Sequence, residues 1–351
     1  MKKKENSEIE ITGEITTDAI EKLRERVLKK ISADLEIDGF RKGHIPEKII
    51  EDYVGNTKIL EEIFNEALSE EYPKIVLLNN LQVIGYPTVR ITKLAKGNPI
   101  KFSLTTAVMP VVTLPDYKKI AEEKRNKNKN IQTEITEEEL TQAILNIRKN
   151  HAHTKHQELS PETASTPENI QEEDLAPLDD ALVKKFGEFS SVDDFKEKLR
   201  AHLTIEKEHA EKERRRAALA DALVADTQTE VPTLFIESEL DKMIADMEAQ
   251  VSRLGLSFDD YLSHVNKTRE DIRTEWREKA KKRSILQLAL TRIAREENIH
   301  PETGRIEREV AHILEHYKDA NPEHVRAYVE TLITNDLVFE FLETGEKKKK
   351  K

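Results

Sequence analysis

Between Tyr117 and Phe186 the chain contains no Phe, Tyr or Trp. Ligand pockets of compact domains are lined chiefly by apolar and aromatic side chains, so no such domain is expected in this stretch. The chain is therefore divided into a part before it and a part after it. At 351 residues it exceeds what one hydrophobic core usually organises, which agrees with two or three structural units. The stretch itself carries KRNKNKN at 124–130, a helical pattern from Thr136 to Asn150 and a Ser/Thr/Pro/Glu-rich run over 158–174. Residues 113–177 read as a linker with one helix.

Before the linker, residues 1–112 read as an α+β domain. The alternation of IEITGEI within Glu8 to Ile15 predicts a strand, and the spacing of Ile20, Leu23, Val27 and Ile31 predicts a helix opening at Asp18. Further helices are expected over Glu47 to Tyr53 and Thr57 to Leu78. Two β-branched segments, Val83 to Leu94 and Ile100 to Met109, flank Lys96-Gly97-Asn98-Pro99 and predict a hairpin.

After the linker, residues 178–343 read as all-α, with long helices and a basic tail at 344–351, so the expected protein is elongated and multi-domain. Ser191 to Asp194 has the form of a capping box at the head of a helix running to about Ala225. The middle of that helix, EKEHAEKERRR at 206–216, is polar on every face and cannot be buried there. Ile236, Leu240, Met243, Met247, Val251 and Leu254 form an apolar stripe ended by Gly255. Thr268 to Asp271 caps another helix, and Pro301 and Pro322 punctuate two more.

Composition removes several function classes. Charged residues make up 36% and aromatics 5%, a balance suited to helices with large solvated faces. There is no cysteine, hence no disulfide, thiol nucleophile or cysteine zinc site. The opening MKKKENSEIEITGEI lacks the apolar run of a signal peptide, and no stretch approaches bilayer-spanning length. A cytoplasmic protein without a membrane partner is expected. Residues 1–112 hold 17 Lys+Arg against 18 Asp+Glu, while the whole chain carries −11. Any contact with a polyanion therefore belongs to the first third and must be local. No phosphate-cradling Gly-rich loop or nucleophile elbow is present. No catalytic residue, cofactor or metal is expected. The pair His312 and His316 and the cluster HAHTKH at 151–156 lack the further ligands that zinc needs.

The sharpest candidate for binding is the loop Gly39, Phe40, Arg41, Lys42, Gly43, His44 and Pro46. Its glycines allow tight turning, and Phe40, Arg41 and Lys42 place an aromatic wedge beside two cations. Such a tip can grip a mixed surface, the cations pairing phosphates or carboxylates and the ring entering an apolar slot. The alternative is a solvated turn whose Phe folds back on the core. Ile236, Met243, Met247 and Val251 are candidates for client binding, since thioether side chains adapt to varied surfaces; core packing is the alternative.

GFRKGHIP between two helices resembles the ribosome-docking signature of the trigger factor family, with His44 where the family usually has Lys or a similar residue. KKFGEFSSVDDFKEKLR at 184–200, VPTLFIESELDKM at 231–243 and LGLSFDDYL at 254–262 resemble its C-terminal chaperone domain. The resemblance covers most of 1–112 and 174–342. It implies that Phe40, Arg41 and Lys42 contact ribosomal protein and RNA beside the nascent-chain exit. It also implies that the helical domain cradles emerging unfolded polypeptide without ATP; dimerisation off the ribosome stays open. Histidine carries little charge near neutral pH, so His44 weakens the electrostatic part of such docking. Family members usually carry an FKBP-like prolyl isomerase where this chain has only its linker, and that activity is not expected here. A divergent isomerase and a ribosome-independent RNA-binding or scaffolding protein are the alternatives.

Overall fold

The computed structural model describes residues 1–38, 40–127, 134–159 and 175–346. Gly39, most of the Ser/Thr/Pro/Glu-rich run and the terminal lysines lie outside the described residues. The chain divides into two compact units, Met1–Pro115 with Leu223–Val338, and Asp116–Ala222 with Phe339–Lys351.

The first unit opens with β1 (Lys2–Lys4), β2 (Glu8–Ile15), α1 (Thr17–Asp34), α2 (Glu47–Val54), α3 (Asn56–Leu78), β3 (Val83–Lys93) and β4 (Ile100–Val108). The strands form one antiparallel sheet in the order β1-β2-β4-β3. Alternation along β2 and β4 puts Ile9, Ile11 and Ile15 with Ile100, Phe102 and Leu104 on one face, where they are buried. Against that face pack Ile20, Val27 and Leu28 of α1, Ile50 of α2, and Ile59, Ile63 and Phe64 of α3. Phe64 meets Phe102 edge-on at 5.4 Å. Gly13 pairs with Phe102 across the ladder, and a Cβ on it would stand 2.6 Å from the ring. That close approach is why β2 carries a glycine at a position that otherwise weakens a strand.

The unit is completed by α8 (Thr233–Arg253), α9 (Phe258–His264), α10 (Arg269–Glu297), α11 (Thr303–His316) and the first part of α12 (Pro322–Thr344). The Thr268–Asp271 capping box is formed at the head of α10, with both reciprocal bonds present. Val231, Ile236, Leu240, Met243 and Ala280 make one core between α8 and α10. Ile244, Val251, Phe258, Leu262 and Ile272 make the next. A third joins Ile306 of α11 to Val329 and Ile333 of α12.

The second unit contains α4 (Tyr117–Lys127), α5 (Glu137–Leu159), α6 (Asp180–Phe186) and most of α7 (Val192–Asp226). Here the structure differs from the linker reading at the level of elements. Among its described residues there are two helices, and α5 is longer than expected, taking in the histidines from 151 onward. The i, i+4, i+7 positions Leu140, Ile144 and Ile147 close a core with Val183 of α6 and Phe195 of α7. Arg200 of α7 donates to the Ile135 carbonyl at 3.1 Å and Lys207 to Glu139 at 2.8 Å. The aromatics of this core, Phe186, Phe189 and Phe195, come from beyond the aromatic-free stretch, so nothing local announced the packing. The polar middle of α7 is unburied from Thr204 to Ala218, as its sequence requires.

Candidate functional site

The loop between α1 and α2 is held at its base and open at its tip. Ser32, in the last turn of α1 and 4% exposed, anchors it twice. Its carbonyl accepts the Gly43 N–H at 2.8 Å, and its hydroxyl accepts the Ile45 N–H at 3.3 Å. Ile45 is buried in the sheet–helix core, so the returning strand of the loop is pinned by an apolar plug as well. Pro46 then stands at the N-cap of α2, where its missing N–H is no loss. Arg24 of α1 donates to Glu47 at 2.8 Å and also pairs with Glu51, tying α1 to α2 beneath the loop.

Above that base the chain makes two successive turns, Phe40 N–H to the Ile37 carbonyl at 3.1 Å and His44 N–H to the Arg41 carbonyl at 3.0 Å. Gly43 has φ of 79°, a left-handed conformation that a side chain resists. These turns leave Phe40, Arg41, Lys42 and His44 exposed, with Phe40 at 40% and outside the core. Lys42 is not free: its ammonium lies 2.5 Å from Glu36. Ser32, Ile45 and Glu36 are the members of this site that sequence reasoning did not single out. The clue available for Ser32 and Ile45 was their position flanking a Gly-bounded loop at the edge of an apolar pattern.

The second set of candidate residues lies elsewhere in the unit and in a different environment. Ile236, Met243 and Val251 are buried, and Met247 is packed against the core of α8, α9 and α10. The outer flank of α8 is locked to α10 by ion pairs. Arg273 donates to Asp241 at 2.5 Å and to Glu237 at 2.6 Å, and Arg277 to Glu237 at 2.6 Å. The hydrogen bond from Arg273, and then that from Arg277, hold the Glu237 carboxyl below the usual range. Asp241 and Glu237 in turn push the Arg273 guanidinium up. In this arrangement the four residues serve packing, and the exposed apolar side chains on and beside α8 and α9 include Leu234, Leu254, Leu256 and Val265.

His151 packs edge-on against Phe186 at 5.3 Å, and His312 against His316 at 5.1 Å. Among the described residues no group of three or more His, Asp and Glu side chains could hold a metal ion. Among them, too, no helix is long and apolar enough to cross a membrane.

Comparison with known proteins gives the family. Residues 1–147 match the family model described as bacterial trigger factor protein, and residues 191–342 match that of the trigger factor C-terminus. The chain belongs to the trigger factor family. The trigger factor of Halothermothrix orenii is 22% identical over 400 residues, covering 93% of this chain and 92% of the relative. That of Pelotomaculum thermopropionicum is 24% identical over 400 residues, covering 92% and 88%. An alignment of 400 positions exceeds the 351 residues of this chain, so dozens of residues of the relative have no counterpart here. The two family matches leave 148–190 between them unmatched. A solved structure from work on promiscuous substrate recognition by the trigger factor chaperone has the same fold. It superposes with a TM-score of 0.52 at 15% identity, covering 97% of this chain and 98% of that one.

Proposed function

We propose that this trigger factor family member is an ATP-independent chaperone that docks at the ribosomal nascent-chain exit through Phe40, Arg41 and Lys42 and engages emerging unfolded polypeptide. The observation that carries the reading is the contrast within the α1–α2 loop. Ser32 and Ile45 fix its base, while an aromatic ring and two cations are held in solvent at its tip. A rigid base spares the loop the entropy of ordering on contact, and the tip combines the donors that phosphates want with a ring that fits an apolar slot. Gly43, His44 and Pro46 shape the turn, and Gly39, His44 and Pro46 belong with Gly43 to the proposed docking set.

The domain assignment that goes with this reading is a ribosome-binding domain at 1–112, a connecting region at 113–177, a helical chaperone domain at 178–343 and a basic tail at 344–351. Docking raises the local concentration of weak apolar surfaces at the exit, so that low affinity suffices. Because Ile236, Met243, Met247 and Val251 are engaged in packing, contact with a client falls to the open surface around them. Prolyl isomerase activity is not part of the proposal, since the relatives' additional residues have no counterpart here. The protein acts in the cytoplasm, partly ribosome-bound.

The test replaces Phe40, Arg41 and Lys42 together by Ala and measures co-sedimentation with ribosomes, alongside suppression of aggregation of a diluted unfolded client. The triple variant loses sedimentation with ribosomes and keeps its fold, because exposed positions contribute little to stability. Undiminished sedimentation of the folded variant would show that docking uses another surface. Sedimentation velocity without ribosomes decides whether the free chain dimerises.

A further inference from the structure

The sheet of the first unit buries one face against α1, α2 and α3, and its other face is polar. Register places Thr12, Ser103 and Arg90 in one row across β2, β4 and β3, and Glu14, Lys101 and Lys93 in the next. Ser103 is half-buried and the other five are exposed. Lys93 and Lys101 therefore stand directly opposite each other, where like charges weaken a ladder. Glu14 faces Lys101 from the far side, and among the described residues it forms no ion pair with it. Arg90 and Lys93 lack a carboxylate partner there too; Lys93 donates to the Asn98 side chain at 3.3 Å.

This grouping of charge is local. Residues 1–112 hold 17 Lys+Arg against 18 Asp+Glu, and the carboxylate of the row beyond, Glu10, is taken up by Ser103 at 2.9 Å and Lys4 at 3.7 Å. Three exposed cations held together against their own repulsion match a partner that carries several negative charges in series. The same edge strand holds an open aromatic ring. Between Ile84 and Thr88 the pairing of β3 with β4 breaks, and Tyr86, inside that break, is 98% exposed. Phosphates for the cations and a base face for the ring are offered together by single-stranded or looped nucleic acid. Lys96, in the turn beyond Lys93, reaches Glu51 of α2 at 3.5 Å. Because α2 begins where the candidate docking loop ends, the basic end of the sheet sits beside the helix that the loop feeds.

We infer that the open sheet face is a second ribosome contact, in which Arg90, Lys93 and Lys101 pair phosphates of exposed ribosomal RNA and Tyr86 stacks on one of its bases. The inference rests on the docking reading above and adds to it a surface of different make: a strand edge that reads backbone charge and a base face, apart from the loop between α1 and α2.

The test uses the full chain, with ribosome co-sedimentation over a salt series. Each phosphate contact on a single strand contributes about 0.7 to the slope of log affinity against log salt, so R90Q/K93Q/K101Q lowers the slope by about 2. The same variant unfolds in urea no earlier than wild type, since removing the opposed lysines relieves the ladder. A purely structural role predicts the reverse, and a less stable variant overturns the inference. Tyr86→Ala binds about tenfold more weakly with its slope unchanged; undiminished affinity overturns the inference as well. R41Q/K42Q separates this surface from the loop. If the loop variant lowers the slope and R90Q/K93Q/K101Q does not, the inference fails and loop docking stands; if neither does, both fail. Fluorescence anisotropy with a labelled twelve-nucleotide oligouridylate and a labelled twelve-residue glutamate peptide gives the class of partner. The oligouridylate binds, and R90Q/K93Q/K101Q loses that binding. A glutamate peptide that binds as well and is lost in the same variant assigns the face to an acidic protein. Oligouridylate binding with an unaltered ribosome slope assigns it to free RNA. Either outcome overturns the inference.

Discussion

Replacing Gly43 by Ala isolates the conformational requirement of the proposed docking loop. The φ of 79° lies in the left-handed region, and a Cβ added there meets nothing within 4 Å. Steric collision is therefore absent, and the whole penalty is the backbone preference of an L-residue, about 1–2 kcal/mol. Two responses are open to the variant. If the Gly43 N–H keeps its bond to the Ser32 carbonyl, the strain is stored in the native state and lowers stability by that amount. If the loop relaxes instead, the fold is spared and Phe40, Arg41 and Lys42 leave their positions. Equating the strain with lost preorganisation then weakens ribosome binding by roughly 5- to 30-fold. Urea denaturation reports the first outcome and ribosome co-sedimentation the second. Gly43→Asn supplies the control, since Asn tolerates the left-handed region; it retains most of the stability and binding that Ala forfeits. Wild-type stability together with wild-type binding in Gly43→Ala, or Asn behaving no better than Ala, would refute the reasoning.

Three further predictions concern other parts of the molecule. Glu36→Gln frees Lys42 from an exposed ion pair and strengthens ribosome binding at low salt by up to about fivefold; co-sedimentation across a salt series checks this, and unchanged affinity would show that Lys42 does not reach the ribosome. Leu240→Ala empties a fully buried site between Val231, Ile236, Met243 and Ala280 and lowers stability by about 2–5 kcal/mol in urea titration. Glu237 has a depressed carboxyl pKa in the folded protein, so it contributes stability above the ordinary glutamate value of about 4.3, and this is lost as pH falls through the folded value. Its side chain is 36% exposed, so screening keeps the contribution under about 1 kcal/mol. Glu237→Gln flattens the acid limb of the stability profile, and an unaltered limb would refute the assignment.

The elements of the first domain and the helix heads were legible in the sequence because their signals are local. The alternation in β2, the Gly97 hairpin turn and the Thr268–Asp271 box each act across a few residues, and each is formed. The loop tip was legible for the same reason, since two glycines and a proline within 39–46 forbid regular structure. The packing of α5 was not legible. Leu140, Ile144 and Ile147 are three apolar positions in a polar helix, and their partners Val183 and Phe195 lie some 35 residues or more away in sequence. The α8 stripe was legible as a stripe, but only α9 and α10 decided that Ile236, Met243 and Val251 face a core. The same holds for charge. Composition gave the net −11, whereas the pairing of Lys42 with Glu36 and the engagement of Arg273 by Asp241 and Glu237 follow from the fold. Periodicity and capping are properties of neighbouring residues and are written in the chain. Which apolar face is covered and which cation is left open are properties of approach in space, and these only the tertiary structure decided.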